Sequence, residues 1–388
     1  MGIGLGIKSK YKWYIFGNIF RIFQINKKKI VVDNFLGRGY GDNPKYIVDE
    51  LLKLDSKLDI VWVVNNKTDT SLFPKGIRTV KYGSIKSIYE WMTAKIWIDN
   101  VKQYYKLKRK GQYYLQTWHG GVSLKRVEKA VEDSLDIGYV NASKIDSTII
   151  DAMISNSNWQ TNDYKTNFWY NGPIFEFGLP RNDIFFHNTE IISKKVKDFF
   201  EVPEEYKIIL FAPTLRNHKN TFEQKEIFTI DSERLIKSCE KKFKNKYVLI
   251  NRFHPGVADH INIVQSEFNK DGNFYSDMQE LLVASDVLIT DFSSSIFDFV
   301  LKSNKVFLFA KDYDDYINKE RGLNFDLKKD LKFNFANSQD ELIYNILNFN
   351  EEIASNNIEE MKVFLGMCDD GNASLRIAEH IMNIINES

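Results

Sequence analysis

Short runs of β-branched and aromatic residues alternate with stretches of helical spacing along nearly the whole chain. Lys29 to Asp33, Asp59 to Val64, Lys95 to Asp99, Tyr113 to Trp118, Ala152 to Ser155 and Ile174 to Phe177 form a first series. Lys207 to Ala212, Tyr247 to Asn251, Asp286 to Thr290 and Lys305 to Phe309 form a second. Apolar runs bounded by helices describe strands covered on both faces, because a parallel crossover lays its helix over the sheet. An α/β fold of two doubly wound, Rossmann-like domains follows. The length of 388 residues agrees, since single cores stop growing below that size. The charged segment Thr189 to Tyr206 is the expected crossing, with the boundary near residue 200. The expected division is a first helix in 1–28, an N-terminal domain in 29–200, a C-terminal domain in 201–345, and helices in 346–388 that pack back across the domains.

Charge and cysteine content exclude several classes. Lys and Arg number 53 against 52 Asp and Glu, so no global basic field points to nucleic acid, and any anion site is local. Cys239 and Cys368 stand far apart without ligand spacing, which excludes a disulfide framework or structural zinc and fits a reducing compartment. No apolar stretch reaches the roughly 18 residues needed to span a bilayer, and no leader with a cleavage site opens the chain. The catalytic body is therefore expected on the cytoplasmic face. Residues 8–29 place Trp13, Tyr14, Ile15, Phe16, Ile19, Phe20, Ile22 and Phe23 between lysines. Two readings fit that segment: a helix lying on the anionic inner leaflet, and a first helix packed on its own domain.

In open parallel sheets, ligands bind beyond the carboxyl ends of strands, so motifs there carry the functional weight. Gly37-Arg38-Gly39-Tyr40-Gly41-Asp42-Asn43-Pro44 follows the first strand and opens a helix, with Pro44 suited to the first turn. It reads as an anion cradle or as a tight strand-to-helix turn. It is not the dinucleotide fingerprint, and the second strand ends without a ribose-binding acid, so NAD and FAD are not expected. Gln116-Thr117-Trp118-His119-Gly120-Gly121 sets a histidine beside two glycines at a strand end. With an ordinary pKa near 6.5, His119 is suited to take a proton from an alcohol at neutral pH.

The second series ends its strands on further polar groups. Thr214 and Arg216 close one, Arg252-Phe253-His254-Pro255 another, and Thr290-Asp291-Phe292-Ser293-Ser294-Ser295 runs a buried strand into a hydroxyl-rich helix start. Arg216 offers a planar fork to phosphate oxygens, and His254 can hydrogen-bond or protonate a phosphate as charge develops. Ser293 and Ser294 read as plain caps or as a pyrophosphate site at free helix N–H groups. Asp291 suits orienting a histidine or fixing the loop. Asp312, Asp314 and Asp315 lack the spacing of a calcium loop and are expected in a solvated loop, while Arg321 is a further phosphate contact. No metal site is expected, and no hydrolase elbow, zinc-protease helix, Walker loop or kinase signature appears.

In order, these segments resemble the CDP-glycerol glycerophosphotransferase family of teichoic-acid and capsule enzymes. The match runs from Gly37-x-Gly39-Tyr40 and Asn43-Pro44 through Trp118-His119-Gly120, Gly178-Leu179-Pro180-Arg181-Asn182-Asp183, Ala212-Pro213-Thr214-x-Arg216 and His254-Pro255 to Thr290-Asp291-Phe292-Ser293-Ser294, Arg321-Gly322 and Asp370-Gly371-Asn372-Ala373-Ser374. The resemblance implies a GT-B fold with an inter-domain cleft, the N-terminal domain receiving the acceptor and the C-terminal domain holding a CDP-polyol. It implies that His119 deprotonates the acceptor hydroxyl, that this oxygen attacks the β-phosphate of CDP-glycerol or CDP-ribitol, and that CMP leaves. Gly39, Tyr40, Asn43, Gly120 and Gly121 fall on the acceptor side. Thr214, Arg216, His254, Thr290, Asp291, Ser293, Ser294 and Arg321 fall at the donor.

The implied acceptor is a lipid-linked glycan or polyol phosphate on a polyprenyl diphosphate. No cofactor beyond the donor is required, and the residues leave Mg2+ dependence and oligomeric state open. One departure stands beside His119, where Gly120-Gly121-Val122-Ser123-Leu124-Lys125 replaces the family's usual Gly-Thr-Pro-Leu-Lys and opens capsule or variant wall polymers as acceptors. The chain shows no additional glycosyltransferase domain, so one type of transfer is expected. The alternatives are a GT-B capsule glycosyltransferase using a nucleotide sugar and a non-catalytic membrane scaffold of polymer synthesis.

Overall fold

The computed structural model describes residues 7–71, 73–102, 107–216, 218–258, 260–261, 263–320 and 322–387. They form two compact units. The first holds Met1–Gly120, Glu128–Asp183 and Met367–Ser388, and the second holds Gly121–Val127 and Ile184–Gly366.

Among the described residues the first unit carries a seven-stranded sheet: β1 (Asn26–Asp33), β2 (Asp59–Val64), β3 (Arg78–Lys81), β4 (Ala94–Asp99), β5 (Tyr113–Gln116), β6 (Ala152–Ser155) and β7 (Ile174–Glu176). All pair in parallel, in the order β3-β2-β1-β4-β5-β6-β7, with Val31 opposite Val61 on one side and Trp97 on the other. The central strand is buried from Lys29 onward, which is why it continues as Ile-Val-Val rather than in an alternating pattern. Strand order reverses between β1 and β4, the switch point where loops diverge and leave a crevice.

The last segment of the chain belongs to this unit. Ile377, Ile381 and Ile385 repeat every four residues along helix Ala373–Asn386 and join Ile30, Ile47, Leu51 and Trp62 in one core. Each such side chain contributes roughly 1.5–3 kcal/mol on burial. Asp183 fastens the start of that helix, its two carboxylate oxygens accepting from the Ala373 and Ser374 amides at 3.0 and 2.7 Å. Asp369 likewise accepts from the Leu179 amide at 3.0 Å and from Asn156 at 2.7 Å. The family-like segments at 178–183 and 370–374 are thus two halves of one seam.

Helix Ile7–Ile19 packs on its own unit along one face, as the second reading expects. One face packs, with Trp13 buried and Phe20 and Phe23, just beyond its end, each edge-on to Tyr89 at 5.4 Å. The other face leaves Tyr14 65% and Ile15 51% exposed, and Ile22 follows at 79%. Among the described residues, no helix is long and apolar enough to cross a membrane.

The second unit carries, among its described residues, a six-stranded parallel sheet of β8 (Lys207–Phe211), β9 (Tyr247–Asn251), β10 (Asn269–Asp271), β11 (Val287–Thr290), β12 (Val306–Phe309) and β13 (Asn334–Ala336), in the order β10-β9-β8-β11-β12-β13. Its switch point lies between β8 and β11. The chain enters this unit after Asp183, earlier than the expected boundary near 200, because helix Thr189–Phe200 packs on Met278–Ala284. Gly121–Val127 also belongs here: Asn324 donates its amide to the Leu124 carbonyl at 2.8 Å, and Lys125 bridges Leu323.

Candidate active site

In the first unit, loops after β1, β4 and β5 converge on His119. Its Nδ1 lies 2.8 Å from the carbonyl oxygen of Asn100. A carbonyl only accepts, so Nδ1 carries the proton and Nε2 is left bare in the neutral ring. The ring sits against Trp118 at 4.2 Å and Phe35 at 5.3 Å. Burial lowers the His119 pKa from its ordinary 6.5, against the opposing pull of the Asn100 bond and Asp42. The result is an imidazole that is neutral at pH 7 and presents one acceptor nitrogen.

The loop around it is rigid. Trp118, Phe35 and Asp42 all hold left-handed backbone, at φ 55°, 46° and 53°. Arg181 donates to the His119 carbonyl at 2.7 Å and pairs with Asp42 at 3.2 Å. Asn100 donates to Asn34 and Asp42 at 2.7 and 3.0 Å and accepts from the Phe35 amide at 2.9 Å. Asp42, Asn100 and Arg181 had not been singled out from sequence. Arg181 does stand inside a matched motif, Asp42 lies in the glycine loop between two matched segments, and Asn100 directly follows a buried strand end.

The glycine loop after β1 is mostly built for structure. A Cβ on Gly37 would stand 2.6 Å from the Asn65 amide nitrogen, at φ +84°, so that position demands glycine. The Gly39 carbonyl is turned inward, accepting from Asn34 and from the Trp62 indole, each at 3.2 Å. Tyr40 stacks near Trp62 and donates its hydroxyl to Asp49 at 2.6 Å, so the anion-cradle reading gives way to a packed turn. Asn43 is buried, bonded to the Trp118 carbonyl and the Arg181 amide at 3.2 Å each. The Gly120 carbonyl accepts from Gln160 at 2.6 Å, and Gly121 is buried in the second unit.

In the second unit, loops after β8, β9 and β11 carry the other candidates. Arg216, expected as a phosphate fork, is wholly enclosed, its side chain 0% exposed. It forms a two-point pair with Asp312 at 2.8 Å and a contact with Asp291 at 2.9 Å, and its guanidinium lies 4.9 Å from both Phe292 and Tyr316. Its donors are spent internally. Asp312 is correspondingly an interior partner rather than a solvated loop residue. Asp291 fixes the loop, accepting from the Thr214 and Phe292 amides at 2.8 and 2.6 Å. Thr290 is buried and donates to the Ala212 carbonyl at 2.6 Å, which removes it from any phosphate.

What remains half-exposed there is Thr214, His254, Ser293 and Ser294. The Ser293 and Ser295 hydroxyls are 2.9 Å apart at the start of helix Ser295–Phe299. His254 Nδ1 accepts from the Gly256 amide at 3.0 Å, which puts the neutral ring's proton on Nε2. The two histidines therefore take opposite tautomers, one an acceptor at Nε2 and one a donor. Arg321 lies outside the described residues. Among the described residues no group of three His, Cys, Asp or Glu side chains is arranged to hold a metal.

Two doubly wound parallel sheets, each with loops gathered at its switch point, define a GT-B type of fold. The wall teichoic acid polymerase TagF has the same architecture, with a TM-score of 0.85 at 24% identity over 98% of this chain and 94% of that one. The family model described as CDP-Glycerol:Poly(glycerophosphate) glycerophosphotransferase matches residues 15–383, and the chain belongs to that family. Its relatives include the teichoic acid glycerol-phosphate transferase of Staphylococcus aureus, 31% identical over 97% of this chain and 99% of that protein. The teichoic acid poly(glycerol phosphate) polymerase of Bacillus subtilis is 30% identical over 82% of this chain. The chain spans 43% of that polymerase's length, and the same share of its Staphylococcus epidermidis counterpart.

Proposed function

We propose that this protein transfers glycerol phosphate from CDP-glycerol to a hydroxyl of a teichoic acid or related capsule acceptor, releasing CMP. The observation that carries the reading is the bare Nε2 of His119, fixed by the Nδ1 bond to Asn100 in a chain of this family. The acceptor O–H gives its proton to Nε2, the oxygen forms a new bond to the donor's β-phosphorus, and the bond to the CMP oxygen breaks with its electron pair leaving on CMP. The first unit carries the acceptor side, with Trp118 and Phe35 framing His119. The second carries the donor side, where His254 donates from Nε2 and Thr214, Ser293 and Ser294 supply hydroxyls to the pyrophosphate. Arg216, Asp291 and Thr290 serve by holding those loops.

Glycerol rather than ribitol is favoured by the Staphylococcus aureus glycerol-phosphate transferase, which matches along its whole length, whereas ribitol-phosphate polymerases match at 27–28%. The acceptor is lipid-linked, and the exposed aromatic and aliphatic face of helix Ile7–Ile19 rests on the cytoplasmic leaflet, supported by its unpaired apolar side chains. The test is a donor screen: CDP-glycerol, CDP-ribitol and sugar nucleotides with a lipid-linked acceptor, followed by nucleotide detection. CMP from CDP-glycerol is expected. Nucleoside diphosphate from a sugar nucleotide, with no CMP from either CDP-polyol, overturns the proposal.

A further inference from the structure

We propose, on the reading that His119 is the base, that Asp42, Asn100 and Arg181 are positioning residues that set the tautomer and the charge of His119. Each reaches the imidazole by a different route. Asn100 does so directly, through the carbonyl that accepts the Nδ1–H hydrogen bond at 2.8 Å. The Asn100 side chain is clamped on three sides, by Asn34, Asp42 and the Phe35 amide, so its carbonyl cannot rotate away. Arg181 ties the backbone, donating to the His119 carbonyl at 2.7 Å, while its own amide is held by Asn43 at 3.2 Å. Asp42 joins the two, bonded to Asn100 at 3.0 Å and to Arg181 at 3.2 Å.

Backbone strain supports the same assignment independently. Three non-glycine residues around one ring, Phe35, Asp42 and Trp118, stand at positive φ, a conformation that costs about 1 kcal/mol or more each and persists where the surroundings over-determine it. The charged groups acting on the ring are Asp42 and Glu128, which favour imidazolium, and Arg181, which opposes it. Glu128 is itself neutralised by Lys102 at 2.8 Å. Asp42 and Arg181 therefore pull the ring in opposite directions, and a packing role alone would not produce opposite effects when each is removed.

The experiment is histidine-selective 15N NMR of the full chain across pH, with the His119 signal assigned by its loss in His119→Asn, alongside kcat against pH from CMP release. The wild-type ring should be protonated at Nδ1 and bare at Nε2 when neutral. Asp42→Asn should move its titration to lower pH, and Arg181→Met to higher pH, each by about one unit. Arg181→Lys should restore the titration in part without restoring the planar fork. An Nε2-protonated wild-type ring, or shifts in one direction for both variants, overturns the proposal. The wild-type tautomer needs no variant to fold. If the titrations move as stated while the acid limb of kcat does not follow them, the positioning stands and the role of His119 as base fails.

Discussion

Replacing Arg216 with methionine separates a phosphate ligand from an interior ion pair. Its guanidinium is fully enclosed, with Asp312 contacting it at two points and Asp291 at a third, and the side chains of those acids are 8% and 1% exposed. Removing the cation leaves two carboxylates without their partner in a site with little water. Breaking one buried pair in this way costs about 3–5 kcal/mol. In a unit of this size each kcal/mol moves the midpoint by roughly 2–4 °C, so a drop of about 6–20 °C in the second unit's transition is expected. Differential scanning calorimetry of wild type, Arg216→Met, Asp312→Asn and the double variant measures it. The double variant should lose less than the sum of the singles, because Arg216→Met strands two carboxylates and Asp312→Asn removes the charge of one of them. A midpoint for Arg216→Met within about 2 °C of wild type, together with a large rise in KM for CDP-glycerol, would show that the fork serves phosphate and refute the reasoning.

Three further outcomes are expected. His119→Asn should lower kcat by about 100- to 10,000-fold, as loss of a general base does, while the thermal midpoint stays close to wild type; a fall of less than tenfold counts against the base. Glu90, buried between Lys29 at 2.7 Å and Arg78 at 3.1 Å, titrates below its ordinary 4.5, because those two cations outweigh the burial that would raise it. Its stabilising effect is therefore present above that value and lost as pH falls through the lowered one. Glu90→Gln should cost about 3 kcal/mol at pH 7, with the gap to wild type closing in urea titrations carried out below pH 4. Finally, Tyr14→Ser, Ile15→Ser and Ile22→Ser together should move the protein from pellet to supernatant with anionic vesicles, leaving the packed Trp13 face intact; unchanged pelleting removes the membrane role of that face.

Legibility of this fold in the sequence followed burial. Asp59–Val64, Ala152–Ser155 and Tyr247–Asn251 are strands from end to end as read, because both faces are covered and the apolar run is continuous. Arg78–Lys81, Asn269–Asp271 and Asn334–Ala336 escaped notice. All three are short and lie at sheet edges, where polar residues are tolerated and no run forms. The strand read as far as Trp118 stops at Gln116, since the chain turns left-handed to present His119.

At the site, residue type was legible and accessibility was not. His119 stood out by its glycines, but nothing along the chain told Arg216, sealed in by Asp312 from nearly a hundred positions away, from an arginine open to phosphate. Thr290 failed for the same reason: a hydroxyl at a strand end looks alike whether it faces a ligand or the neighbouring strand. Asn100 and Arg181 act on His119 through backbone carbonyls, a contact that leaves no mark of residue type on its acceptor.

The seam between residues 178–183 and 369–374 has a consequence for how the protein is made. The helix that completes the first unit's core is specified after residue 366, so the ribosome must translate the 184–366 stretch before that core can close. At about 5–20 residues per second, this is a wait of roughly 10–40 s. During it, the apolar side of helix Asp42–Leu54 that later receives Ile377 and Ile381 stands uncovered. The histidine proposed as the base thus sits in the unit begun first and finished last.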